Sequence, residues 1–181
     1  MLAFLVLILA ASSRLLPHAL HGVGVNFTAV GAGLLFFGSR RPRWEALIAA
    51  AVMALTDVYL TMHVYGLAFH VSGYLVTWLW YAAVALIGSA LLRKVTVLRV
   101  IAGVFASATS FFVASNFMVW MGSGMYDHTV AGLANCYRMA VPFYANDLAS
   151  TGIFSAILFG LPVLAVTLTE NMRTKAHQHA S

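Results

Sequence analysis

Polar side chains that could bind a small molecule are concentrated between Ser110 and Asp147. The apolar helix that opens this stretch carries Thr109, Asn116 and Trp120, and spacings of seven and four residues place them on one side. Polar groups on one side of a membrane helix face protein or a cavity rather than lipid. Amides fix the orientation of a solute and aromatic rings supply apolar contact. We therefore predict a solute-binding cavity beside this helix.

Asp57 is the sharpest single indication of a site. It lies deep in an apolar run, one turn before Thr61 on the same helical face. A carboxylate inside a membrane helix costs roughly 2.5 to 3.5 kcal/mol and therefore faces a partner or a wet cavity. Arg14 or Arg138 could be that partner. A structural ion pair and a contact to a ligand or ion are both consistent with the sequence.

Metal binding and covalent catalysis are less well supported by the spacing of residues. Histidines and one cysteine are common metal ligands, and those on the outer side are His18, His21, His63, His70, His128 and Cys136. They form no HExxH or CxxC motif, so we predict no metal site and no cofactor, with metal or haem binding as a minor alternative. Ser110, Ser115 and Cys136 could be nucleophiles, but none adjoins a base in a known motif, so an enzyme is not predicted.

The composition indicates which structure must position these groups. The chain has 181 residues, of which 62% are hydrophobic and 8% charged, and its mean hydropathy is +0.90. Such a sequence has too few charged residues to cover a soluble surface. We predict an all-α polytopic membrane protein, a single six-helix bundle over residues 1–181. The expected spans are about 2–16, 26–37, 44–62, 73–92, 100–121 and 148–168.

A short amphipathic segment at 129–141 separates the fifth and sixth predicted spans. Thr129 is a plausible N-cap, and Pro142 is expected to end the segment. It is too short and too polar to span, so we predict a re-entrant or interfacial segment that covers the cavity. A solvated loop on the membrane surface is the alternative.

The net charge of +5 is explained by topology rather than by nucleic acid. Six spans place both termini on one side, and eight of the ten Lys and Arg residues then fall there, leaving Arg14 and Arg138 outside. Basic loops stay in the cytoplasm. We therefore expect cytoplasmic termini in a bacterial inner membrane and no nucleic-acid partner. Because no basic residue precedes the first apolar run, we interpret it as a helix rather than a cleaved signal.

Several motifs together resemble a bacterial family of small membrane proteins of unknown function that are often labelled as transport proteins. In chain order they are Arg14-Leu15-x-Pro17-His18, Asn26-Phe27-Thr28, Asp57 before Tyr65-Gly66, Ser115-Asn116-Phe117-x-Val119-Trp120, Gly132-Leu133-x-x-Cys136-Tyr137, Pro142-Phe143-x-x-Asn146 and Leu158-Phe159-Gly160. The chain departs from the family pattern at Asn146-Asp147-Leu148, where the carboxylate comes early. No charged contact at the start of the sixth helix is therefore carried over.

A wider resemblance is to the substrate-binding S components of energy-coupling-factor (ECF) transporters. That resemblance implies six helices with cytoplasmic termini, a vitamin or metal ion captured beneath outer loops, and small-residue helix faces that meet a transmembrane coupling subunit. The sequence contains no ATPase motif, so energy would come from partner subunits, including ATPases, or from an ion gradient.

The sequence-based hypothesis is a membrane transport protein that binds a small polar or aromatic, vitamin-like solute from the outer face for uptake. The alternative is a non-transporting accessory subunit of a larger membrane complex. The predicted ligand-binding residues are Arg14, His18, Asn26, Asp57, Asn116, Trp120, Tyr126, Cys136, Tyr137, Arg138 and Asn146.

Overall fold

The computed structural model describes residues 1–15 and 26–162. Within those ranges the chain forms six α-helices and no strand, so the predicted all-α class and helix number are confirmed. The helices are α1 Leu2–Ser12, α2 Val30–Arg40, α3 Ala46–Tyr59, α4 Leu75–Leu91, α5 Val97–Gly122 and α6 Val130–Ser155. A π-helical turn extends α3 over Leu60–Val64, and another extends α6 over Ala156–Gly160. His18 and the end of the sixth predicted span lie outside the described residues.

The prediction that Pro142 ends a separate segment at 129–141 is wrong, because α6 runs through Pro142 without a break. Thr129 is the N-cap as predicted, and its hydroxyl accepts a hydrogen bond from the Gly132 backbone N–H at 3.0 Å. The proline ring removes the hydrogen bond that its own N–H would donate within the helix. Both halves of α6 are nevertheless attached to α5, through Tyr137 before the proline and Tyr144 after it. These contacts keep the two halves in one helix.

Helices that follow one another along the chain run antiparallel. Phe4 of α1 packs edge-on against Phe37 near the end of α2, whereas Ala10 at the other end of α1 lies against Gly33. In α3 and α4, Thr61 pairs with Tyr74 at one end of the contact. The basic turns after α2 and α4 consequently lie at the same end of the bundle. The end of α1 and the starts of α2 and α4 lie at the opposite end.

The second helix occupies the centre of the bundle. All nine residues from Val30 to Gly38 are buried, and they contact every other helix. Glycines on both sides of its contact with α4 allow this: a Cβ on Gly38 of α2 would lie 1.8 Å from the carbonyl oxygen of Ala85, and one on Gly88 of α4 would lie 2.3 Å from that of Leu35. Only glycine permits backbones to approach so closely. A Cβ on Gly33 would lie 2.4 Å from the Cβ of Ala10, so α1 also packs closely against α2.

Two helical segments of the described chain are long and apolar enough to cross a membrane, Arg43–Val64 and Val97–Gly122. Leu2–Leu15 and Leu75–Leu91 are apolar but shorter. The first helix buries Ala3, Val6, Leu7, Ala10 and Ala11, while Leu5 and Ile8 are more than half exposed.

Candidate functional site

Two adjoining cavities lie near the end of the bundle opposite the basic turns. The larger has a volume of about 320 Å³ and is lined by residues from all parts of the chain: Arg14, Asn26, Thr28, Val30, Asp57, Leu60, Tyr65, Tyr74, Thr77, Trp80, Tyr81, Phe111 and Asp147. The smaller, of about 220 Å³, is lined by Asn26, Phe111, Phe112, Ser115, Asn116, Ala140, Phe143, Tyr144 and Asp147. Asn26, Phe111 and Asp147 line both, so the cavities meet at these residues.

Three side-chain donors bond to the Asp57 carboxylate on one wall of the larger cavity. It is 2% exposed, and Arg14 at the end of α1 donates from Nη2 to Oδ1. Trp78 donates from Nε1 to Oδ2 at 2.9 Å, and the Tyr81 hydroxyl lies 3.4 Å from Oδ1. Of the two arginines that the sequence offered as partners of Asp57, Arg14 is the one that pairs with it. The pair links α1 to α3, and the two aromatic donors add α4.

Aromatic side chains also line the larger cavity. The Tyr74 hydroxyl is 2.6 Å from the buried Thr61 hydroxyl, and the Tyr74 ring stacks with Phe69 and Trp78, which also stack on each other. Trp80 donates from Nε1 to the Ser110 hydroxyl at 3.0 Å, which connects α4 to α5. With their polar atoms engaged, these side chains present ring faces to the space between the helices.

The smaller cavity lies between α5 and α6. Asn116 lines it, and its side-chain amide donates to the Phe112 carbonyl at 2.8 Å. Phe112 packs against Tyr144, whose hydroxyl is 3.0 Å from that of Thr109. Four aromatic residues line this cavity, together with two amides, Asn26 and Asn116, and the carboxylate of Asp147.

Four of the predicted site residues, Arg14, Asn26, Asp57 and Asn116, are brought together by the cavities. Four others make protein contacts away from them. Trp120 Nε1 donates to the Asp127 carbonyl at 2.9 Å, Cys136 Sγ to the Asn116 carbonyl at 3.4 Å, Tyr137 Oη to the Val113 carbonyl at 2.7 Å, and Arg138 Nη2 to Asn135 Oδ1 at 3.0 Å. The first three contacts tie α5 to α6 and to the loop between them, and the Arg138 contact lies within α6.

The last two predicted residues also lie apart from the cavities. Tyr126 lines a separate open groove of about 310 Å³ at the start of α6, and Asn146 is half-buried beside Asp147. No group of three His, Cys, Asp or Glu side chains that could hold a metal ion occurs in residues 1–15 and 26–162.

Asp147 is the residue that the sequence-based list omitted. It is 7% exposed, lies in the middle of α6 and lines both cavities. The same signal that selected Asp57, a carboxylate in an otherwise apolar helix, could have identified it. The tyrosines Tyr65, Tyr74 and Tyr81 were also omitted, and nothing in their spacing distinguishes them from interface aromatics.

Comparison with known proteins gives one match. Residues 1–174 match the model of a family described as "Family of unknown function (DUF6580)". The chain belongs to this family. The match covers nearly all of the chain, so the resemblance to a family of unknown function is confirmed. No curated protein and no solved structure matches the chain.

Proposed function

We propose that this member of the family is a multi-pass membrane protein that binds a small solute in the two adjoining cavities and takes part in its uptake. The observation that carries the proposal is the convergence of Arg14, Asn26, Asp57, Asn116 and Asp147 on one hollow with aromatic walls. Cavities that bind small molecules are mostly apolar and contain a few convergent polar groups. The larger cavity lies at the lower end of the roughly 300 to 1,000 Å³ typical of ligand sites, which suits a small solute.

A membrane location is supported by the exposed apolar surface and by the distribution of charge. Leu47 and Leu55 on α3 and Leu79 on α4 are more than two-thirds exposed. A soluble monomer rarely exposes contiguous apolar patches of this kind. The basic turns lie at the end opposite the cavities, and basic ends stay in the cytoplasm. The cavities then lie on the outer side of a bacterial inner membrane.

Transport rather than catalysis is proposed because, among the lining residues that lie in 1–15 and 26–162, no nucleophile is paired with a general base. Energy would come from a transmembrane coupling subunit with its ATPases or from an ion gradient. The proposed partners are therefore the solute, the lipid bilayer and, for uptake, such a coupling subunit.

Native mass spectrometry of the protein released from its own membrane tests solute binding directly. The wild-type protein is expected to retain a small molecule. Thr77→Phe fills the larger cavity, so this variant should lose the retained mass, whereas Leu79→Phe, on the outward face of the same helix, should keep it. If wild type carries no small molecule, or if both variants retain it equally, solute binding in this cavity is wrong.

Reporter fusions test the topology. A reporter active only in the cytoplasm should be active after Arg41 and Lys94 and inactive after Gly66 and Met125, because these pairs lie at opposite ends of the helices. Activity at all four positions would contradict a multi-pass protein.

An accessory subunit of a larger membrane complex is the second candidate. An apolar groove of about 710 Å³ between the basic ends of α5 and α6 favours it, with Val100, Val104, Gly152 and Phe159 among its lining residues. A helix of another subunit could pack there. Ala156→Trp would fill the groove, and loss of a co-purified subunit with no loss of retained solute would separate the two roles.

A further inference from the structure

Asp147 differs from the other buried acids in having a carboxylate oxygen without a partner. Among the described residues, Oδ2 of Asp147 is buried and accepts no hydrogen bond. Oδ1 is 3.5 Å from the Thr151 hydroxyl, which is at the limit of a hydrogen bond. The nearby Ser150 hydroxyl donates to the Asp147 backbone carbonyl at 3.1 Å and so does not serve the carboxylate.

No cation of the described chain compensates this charge. The salt bridges found there join Arg14 to Asp57 and Arg41 to Glu45. Arg14 shares the larger cavity with Asp147, but its guanidinium is already bonded to Asp57. A buried carboxylate without a countercharge is strongly unfavourable, so a proton or a cation from outside the described residues must neutralise it.

The surroundings of Asp147 select the kind of cation. A Ca²⁺ or Mg²⁺ ion needs about six oxygen ligands, whereas the described residues that line both cavities supply only the Asp147 carboxylate and the Asn26 amide. Aromatic rings dominate instead: Phe111 lies at the junction, with Tyr144 on one side and Trp80 on the other. Ring faces beside a carboxylate are the chemistry that recognises an organic ammonium group.

We propose that the solute is a small organic cation, an amine with an apolar or aromatic body, and that Asp147 is its counter-ion. This inference rests on the proposed function and specifies the chemical class of the solute. The ammonium group lies at Asp147, where the cavities meet, and the body of the amine lies among the aromatic rings that line the two cavities. Asp57 does not fill this role because Arg14 already neutralises it.

Binding of three probes with the same ring tests the inference. Tryptamine, tryptophol and indole-3-acetate carry an ammonium, a hydroxyl and a carboxylate on an indole, and each is titrated into the protein in lipid nanodiscs. Wild type should bind tryptamine at least about tenfold more tightly than tryptophol, as expected for a charged hydrogen bond, and indole-3-acetate least tightly.

Two isosteric variants locate the effect. Asp147→Asn should reduce tryptamine affinity about tenfold or more and leave tryptophol affinity unchanged. Asp127→Asn removes an exposed carboxylate in the loop before α6 and should change neither. The melting temperature of each variant in nanodiscs shows that it is folded.

The outcomes separate this inference from the proposed function. If wild type fails to bind tryptamine, or binds it as well after Asp147→Asn, Asp147 is not a counter-ion and the carboxylate holds a proton. That result leaves solute binding standing if a retained molecule is still displaced by Thr77→Phe. Both proposals fail if wild type retains no molecule and if Thr77→Phe changes the binding of none of the three probes.

Discussion

The two buried carboxylates of the cavity walls have opposite surroundings. Asp57 receives hydrogen bonds from Arg14, Trp78 and Tyr81, and it connects three helices. Asp147 has one distant hydroxyl beside Oδ1, and its Oδ2 has no partner within the described ranges. A carboxylate that already has an arginine and two ring donors needs no further countercharge. The difference separates a carboxylate that is paired within the fold from one whose charge the described residues leave uncompensated.

The largest expected effect comes from neutralising each carboxylate in turn. Asp57→Asn leaves the Arg14 guanidinium largely buried without its countercharge and should lower the free energy of unfolding by about 3 to 5 kcal/mol. Asp147→Asn removes an uncompensated charge and should leave the free energy of unfolding equal or higher. Unfolding by SDS titration in mixed micelles measures both.

A double variant sharpens this result. Replacing Arg14 with Met in the Asp57→Asn background removes the stranded cation and should recover part of the lost stability. Equal destabilisation by Asp57→Asn and Asp147→Asn would show instead that both carboxylates are structural.

A second comparison concerns packing on the two sides of the bundle. Gly38→Ala forces a Cβ against the Ala85 backbone and should lower the free energy of unfolding by about 1 to 3 kcal/mol. A Cβ on Gly152 of α6 would meet only Val104, at 4.0 Å, so Gly152→Ala should be neutral or raise it by up to about 1 kcal/mol. The same SDS titration distinguishes them. A large loss at Gly152 would mean that α6 packs as closely as α2 does.

The smallest expected effects come from single hydroxyl groups beside the two carboxylates. Tyr81→Phe removes the donor that is 3.4 Å from Asp57 and should lower the free energy of unfolding by about 0.5 to 1 kcal/mol. Thr151→Val removes the more distant hydroxyl beside Asp147 and should change the free energy of unfolding by less than about 0.5 kcal/mol. Thermal unfolding in detergent compares them. A larger loss at Thr151 would show that Asp147 depends on this hydroxyl.

The helical class could be predicted from the sequence because long apolar runs permit little else. The boundary at Pro142 could not, since a proline usually ends a helix and the contacts that hold α6 together come from α5. Tertiary contacts decide whether such a helix continues, and a single sequence does not reveal them.

The candidate site was predicted in part for a related reason. A polar residue in an apolar helix needs a hydrogen-bond partner. The sequence shows which residues need one, but not whether the side chain faces a cavity or a neighbouring helix. Arg14, Asp57 and Asn116 line cavities, whereas Tyr137 and Cys136 use the same kind of polar atom to join two helices. Only the three-dimensional arrangement distinguishes the two uses.

The central position of α2 also constrains how the protein is made. This helix is the second to leave the ribosome, yet the neighbours that enclose it include α4, α5 and α6, which are synthesised later. Nine consecutive residues of α2 are enclosed by these neighbours in the finished fold. Burial of α2 is therefore complete only once α6 has been synthesised, and a chain that stops before α6 should leave one side of α2 exposed.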